Sequence, residues 1–181
     1  PIESYNVVDP YRIIYVSGIH PYKHQCNVVE AVSMLRNQGL PIVLDLVGPS
    51  YLSSLLQLKN KISMLDPDEK WLIYHGELPY GRINKIYYKA NLGVFASSCE
   101  NMPNILLEKM SAGLPIACSE CSPMPEILGN DGVYFNPEKP DEIANALGDL
   151  IKSPDLRYKK ACASFERSSN FSWELCSANT F

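Results

Sequence analysis

The stretch Leu92–Pro115, LGVFASSCENMPNILLEKMSAGLP, decides the fold. Leu92–Ser97 is an apolar run without polar alternation, which marks a strand buried on both faces. Ser98–Met102 (SCENM) is a polar loop. Pro103 suits the first turn of a helix, because proline has no N–H to lose there. Gly113, with Pro115 beyond it, stops that helix at Ala112. Strand, loop, helix and stop follow one another as in one step of a βαβ unit.

Working outward, the same step recurs. Arg12–Ser17 (RIIYVS), Ile42–Gly48 (IVLDLVG) and Trp71–Gly76 (WLIYHG) are apolar strands ahead of it, and Pro115–Ser119 and Val133–Phe135 follow it. Between them the apolar spacing predicts helices over His24–Gln38, Ser53–Leu65, Gly81–Lys89 and, briefly, Pro125–Leu128. Asp141–Lys152 and Asp155–Ser168 close the domain. Six such strands alternating with helices predict an α/β fold. It is a doubly wound, Rossmann-like domain: a six-stranded parallel sheet with helices on both faces. The domain spans 12–168. Residues 1–11 are expected to be an interdomain linker remnant, and 169–181, with Phe171, Trp173 and Phe181, a terminal helix or tail.

At 181 residues the chain suits one domain. A net charge of −4 argues against a broad nucleic-acid surface, which needs clustered Lys and Arg. It leaves room for a small anion held by one or two local charges. No apolar run approaches the ~20 residues of a membrane span. The expected location is cytoplasmic, the cytoplasmic face of a membrane included.

Three of six cysteines (Cys26, Cys118, Cys162) fall inside helices or strands, as reduced buried thiols do. Cys118 and Cys121 form one C-x-x-C without a second ligand pair, so no metal site is expected. Asp66-Pro67-Asp68 mimics a metal-binding D-x-D but sits between a helix and a strand start, where a turn is expected. No G-x-G-x-x-G follows the first strand, and no P-loop motif is present. His24 is expected at the start of its helix, His75 in a structural role, and Glu126 at a helix start complementing the dipole. His20 falls in the first loop and is a candidate for ligand contact.

In doubly wound sheets, ligands bind outside the carboxyl ends of the strands where the strand order reverses. For the order 3-2-1-4-5-6 that point lies between strands one and four. The loops leaving them are Gly18–Lys23 (GIHPYK) and Ser98–Met102. The helix from Pro103 is expected to aim the N–H groups of Asn104 and Ile105 at an anion. Leu106, Leu107 and Met110 form its apolar face. Asn104, Glu108 and Ser111 form a polar stripe. Glu108, ~7.5 Å along the axis from Pro103, is placed to accept a pair of ribose hydroxyls while the helix start holds phosphates.

Glu100–Glu108 (ENMPNILLE) resembles the E-x7-E motif of the group-1 (family 4) retaining glycosyltransferases, whose fold is called GT-B. The resemblance extends over Ile14–Lys23, Val47-Gly48, Tyr74-His75-Gly76, Ala96–Glu100, Glu108–Pro115, Met124–Leu128, Gly132–Pro137 and Phe171–Trp173, in order. It implies one half of a GT-B fold, the carboxy-terminal domain that binds a nucleoside-diphosphate sugar. An amino-terminal domain, not contained in this stretch, would supply the acceptor site. Transfer would be hexosyltransferase-like, with retention, with no metal or other cofactor.

By resemblance Glu108 holds the ribose, and Glu100 and Lys23 are the catalytic pair beside donor sugar and phosphates. Asn101, Met102, Pro103, Asn104 and Ile105 face the diphosphate. Gly76, Glu77 and Leu78 lie against the base, with Ser17, Gly18 and Gly48 beneath the phosphates. One position departs. Many relatives carry Gly-Arg where this chain has Ser17-Gly18, so one phosphate cation is missing. Either backbone N–H groups and the Ser17 hydroxyl compensate, or the donor subclass differs. Two other readings share the architecture: a sugar-nucleotide epimerase or phosphorylase, and a non-catalytic nucleotide-binding module.

Overall fold

The strand β2 (Ile42–Val47) is buried at every position, as a strand with a neighbour on each side and helices on each face must be. The computed structural model describes residues 4–172 together with 177 and 178. In chain order the elements begin with β1 (Tyr11–Val16), a 3-10 turn (Pro21–Lys23), α1 (Gln25–Asn37), β2, α2 (Leu52–Leu65) and β3 (Leu72–Tyr74). They continue with α3 (Tyr80–Lys89), β4 (Leu92–Phe95), α4 (Asn104–Ser111), β5 (Ile116–Ser119) and α5 (Met124–Leu128). β6 (Val133–Phe135), α6 (Pro140–Lys152) and α7 (Pro154–Ser168) complete the domain.

The six strands form one parallel sheet in the order β3-β2-β1-β4-β5-β6. This is the doubly wound arrangement expected from the sequence. β1 pairs with β2 along its whole length, from Tyr11↔Ile42 to Val16↔Val47. Against β4 it pairs only at Ile13↔Leu92 and Ile14↔Gly93. The two central strands therefore part beyond Ile14, and their loops leave in different directions. That parting is the crevice of the fold.

One face of the sheet packs Tyr11, Ile13, Tyr15, Leu44 and Leu46 against Val28, Val32 and Leu35 of α1 and Ile143, Leu147 and Ile151 of α6. The opposite face packs Phe95, Ile116 and Cys118 against Leu106 and Met110 of α4 and Met124 and Leu128 of α5. Burial at ~1.5–3 kcal/mol per large apolar side chain makes these two layers the main stabilising term. No helix among the described residues is long and apolar enough to cross a membrane.

Several local readings are adjusted by the structure. Tyr11, assigned to the linker on sequence, is wholly buried and opens β1, with Tyr5 edge-on against it at 5.0 Å. β3 (Leu72–Tyr74) is shorter than the expected Trp71–Gly76, and Asp66 holds its start. Its carboxylate accepts the N–H groups of Lys70, Trp71 and Leu72 at 2.8–2.9 Å. The Asp66–Asp68 segment is thus a turn that seats the strand. Trp173 and Phe181 of the tail lie outside the described residues, whereas Phe171 packs on the α4–α5 layer.

Candidate functional site

The crevice is built by two loops that hold each other. Ser98 N donates to the Tyr22 carbonyl at 2.9 Å, and the His24 ring bonds the Ser98 hydroxyl at 2.9 Å. His24 adopts φ 51° at the junction of the 3-10 turn and α1. His24 thus stands at the start of α1, as the sequence suggested; its side chain makes no cap bond and instead ties the β1 loop to the β4 loop. Burial lowers its pKa. From below, the phenol of Tyr15 donates to the Lys23 carbonyl at 2.6 Å, fixing the backbone of that lysine.

Lys23, from the first loop, and Glu100, from the second, form an ion pair. Their side chains are 10% and 15% exposed, so the pair is largely desolvated. It adds a charged link between the two loops that fold logic placed at the switch point.

Other predicted residues fall into layers. Ser17 is buried and its hydroxyl accepts a hydrogen bond from Gln25 Nε2 at 2.8 Å. Gln25 also donates to the Gly18 carbonyl at 2.7 Å. The Ser17 hydroxyl is thus an internal support of the loop rather than a group presented to a ligand. Gly18 lies under the His20 ring: a Cβ there would sit 3.1 Å from His20 Cδ2. His20 itself stacks on Tyr22, with ring centroids 5.1 Å apart, and lies tilted against Tyr51 at 4.3 Å. Gly48, at φ 144°, rests on the Ser17 carbonyl, where any Cβ would collide. Gly76, at φ 68°, accepts from Gly48 N at 2.9 Å. Glu77 is exposed, and Leu78 packs beside Tyr87.

At α4 the sequence expectation needs one correction. Asn104 N turns back onto the Met102 carbonyl at 2.9 Å, so it is not aimed outward. Among the described residues the Ile105 N–H has no acceptor, and it remains the donor at this helix start. Pro103 is buried at the N-cap position, and Asn101, Met102 and Asn104 are exposed around it.

Glu108 is half-buried, and its carboxylate accepts the Tyr87 phenol at 3.3 Å. Burial, then the neighbouring Glu108, pushes the Tyr87 phenol up, so the phenol stays a donor. Tyr80, Asn84, Tyr87, Glu108 and Ser111 line an open cavity of about 290 Å³ between α3 and α4. Glu108 is therefore oriented within a cleft, not spread on a solvated face.

His75 is structural, as expected. Its ring and the Arg12 guanidinium both hold the buried Asp45 carboxylate, at 2.8 Å each. Glu126 lies in the first turn of α5 and accepts from the Ser122 hydroxyl at 3.0 Å. Cys118 is wholly buried in β5, and burial pushes its thiol up.

The sequence reading missed two residues. Tyr87 was one apolar position among several in α3. Lys109 was passed over as the charged neighbour of Glu108, yet it is wholly buried. The one sign of it was a glycine, Gly93, inside a central strand where a packing side chain is the rule.

Comparison with known proteins places this architecture. The family model described as glycosyl transferases group 1 matches residues 10–153. The O-antigen chain mannosyltransferase B of Escherichia coli is 24% identical over 99% of this chain and 49% of its own length. The chain thus spans about half the length of that relative. A structure of Anabaena Alr3699/HepE in complex with UDP superposes with a TM-score of 0.80 at 18% identity, over 91% of this chain and 45% of that one. The C-terminal domain of a glycosyl transferase group 1 family protein (LpcC) from Francisella tularensis gives 0.78 at 22% identity, over 90% and 85%. The fold is that of the carboxy-terminal half of a GT-B enzyme, and the match to the family model runs from β1 to the end of α6. The chain belongs to the group 1 glycosyl transferases.

Proposed function

We propose that this domain binds the nucleoside diphosphate of an activated sugar and presents it for transfer. The diphosphate seats at the switch point over Lys23 and the start of α4, and the ribose hydroxyls are accepted by Glu108. The observation that carries this reading is the meeting of Lys23 and Glu100 across the two diverging loops. It brings a cation and a carboxylate together, largely desolvated, three residues ahead of the α4 N-cap Pro103.

Breaking a sugar–phosphate bond builds negative charge on the leaving diphosphate. The Lys23 ammonium and the Ile105 N–H are preorganised donors toward that charge, and each such donor is worth ~3 kcal/mol of barrier. No metal is assigned a role in this scheme. Glu100, paired to Lys23, orients the ammonium in the empty site and turns to the sugar hydroxyls when phosphate takes its place. Joined to an acceptor-binding domain, the site would act as the donor half of a retaining glycosyltransferase. The Anabaena structure of the same fold is a complex with UDP, which supports a nucleotide as ligand.

The test is calorimetric titration of the chain with UDP and GDP in EDTA. Binding of either with a diphosphate-dependent affinity supports the reading. Binding that disappears on chelation and returns with Mg²⁺ overturns the metal-free scheme, and binding of neither nucleotide overturns the site.

A further inference from the structure

Lys109 is the one wholly buried lysine of the described chain, and the donor-site scheme above leaves it unused. Its stem leaves α4 on the inner side and crosses β4 at Gly93, whose missing Cβ gives it passage. Its ammonium ends at the carboxyl end of β1, 3.5 Å from the Val16 carbonyl. That carbonyl immediately precedes the Ser17–Lys23 loop. Three rings surround the ammonium: Phe95 of β4 at 5.3 Å, and Tyr15 of β1 and Tyr87 of α3 at 5.9 Å. The Lys23 ammonium lies 5.7 Å from the same Phe95 ring. Two lysines, from different elements, thus converge beneath one site.

Packing does not account for a lysine here. A methionine fills the same channel without desolvating an amine, and replacing buried charges by apolar groups is commonly neutral or stabilising. Charge does account for it. Glu100 neutralises Lys23 in the empty site, so a diphosphate arriving there needs a further positive charge.

We propose that Lys109 is the second cation of the donor site, a positioning residue that takes up a proton from solvent when a nucleoside diphosphate binds and holds the anion through its field. The proposal rests on the nucleotide reading above. Burial lowers the Lys109 pKa to about 7, so in the empty site the amine is only partly charged. The groups facing it are Tyr15 from β1, Tyr87 from α3, Cys118 from β5, its neighbour Glu108, and Lys23 and Glu100 from the loops. Glu108, Cys118 and Glu100 favour its charged form and Lys23 opposes it. A diphosphate that draws Lys23 toward itself adds charge of the favouring sign, so the Lys109 amine protonates on binding.

The experiment is calorimetry of the chain with UDP and with GDP, in HEPES and in Tris, at about pH 8, where the phosphates are already ionised and Lys109 is mostly neutral. The wild type should show net proton uptake, seen as a binding enthalpy that changes with buffer. Lys109→Met should lose that uptake and bind the diphosphate about ten-fold or more weakly, the scale of one charge-assisted contact. Its affinity for uridine or guanosine, which lack phosphates, should stay within about two-fold. Equal diphosphate affinity and unchanged uptake in Lys109→Met would overturn the proposal while leaving the nucleotide site standing. A wild type that binds neither nucleotide would take down both. Should Lys109→Met fail to fold, the wild type alone decides, because binding without proton uptake contradicts the proposal.

Discussion

Lys109 lies across Gly93: a Cβ built on the glycine would meet Lys109 Cδ at 3.0 Å and Cγ at 3.5 Å. Gly93 pairs with Ile14 on one side and Ile116 on the other, so it stands in the middle of the sheet. There a glycine ordinarily weakens a strand. Here its emptiness is filled by the side chain of another element.

Gly93→Ala should therefore cost about 1–3 kcal/mol of stability, the scale of overpacking a filled core. Adding Lys109→Ala should recover part of that loss, since the obstructing stem is gone. Urea unfolding of both single variants and the double variant checks this. Strictly additive effects would mean that the two residues do not compete for one space.

Lys109 also gives the domain a defined pH response. Its ordinary pKa is 10.5 and its folded value about 7. The unfolded chain thus binds more protons between those values, and stability rises with pH across that window. Below about 7 the full cost of the buried ammonium is present; above the ordinary value it is gone. Lys109→Met should be more stable than wild type by about 1–4 kcal/mol at pH ~6.5, and the gap should close as pH rises. Denaturation midpoints of both proteins at matched pH values are the measurement.

Glu108→Gln should weaken nucleoside diphosphate binding by about 1.5–3 kcal/mol, the range for hydrogen bonds to a charged group. Tyr87→Phe, which removes the donor that orients Glu108, should cost about 0.5–1.5 kcal/mol. Titration with UDP and GDP gives both numbers. Wild-type affinity in Glu108→Gln would remove the ribose role.

Glu100→Gln leaves the Lys23 ammonium desolvated without its carboxylate. The unliganded domain should lose about 3–5 kcal/mol, as broken buried pairs do. Nucleoside diphosphate should then stabilise the variant by more than it stabilises the wild type, because the phosphate replaces the lost charge. Thermal shifts with and without ligand report the difference.

The 181-residue chain should bind donor yet turn it over far more slowly than a two-domain protein containing it. Positioning donor against acceptor can account for ~7–11 kcal/mol of barrier, and that requires an opposing wall. A nucleotide-release assay on both proteins, with one donor and acceptor, is the comparison. Equal rates would place the whole active site within this domain.

The sequence by itself determined the sheet. Apolar strands without alternation, each closed by Gly or Pro signals around a helix, admit one class of arrangement, while the strand order itself, β3-β2-β1-β4-β5-β6, is decided by how the strands pair in space. It also determined that Lys23, Glu100 and Glu108 belong to the two diverging loops and the helix between β4 and β5, because these are local in the chain once the strands are placed. Local rules stop at contacts between elements. That Asn104 N–H turns inward, that Ser17 is held from below by Gln25, and that His24 ties one loop to the other depend on how loops settle against each other. The fate of Lys109 was furthest from reach. Its neighbours in sequence mark it as a charged residue beside a polar stripe, and only the meeting of α4 with the gap at Gly93 turns it inward. Helical periodicity fixes which way a residue points, but whether a charge can follow that direction depends on space left by a strand 16 positions earlier. That space exists only after the sheet has formed.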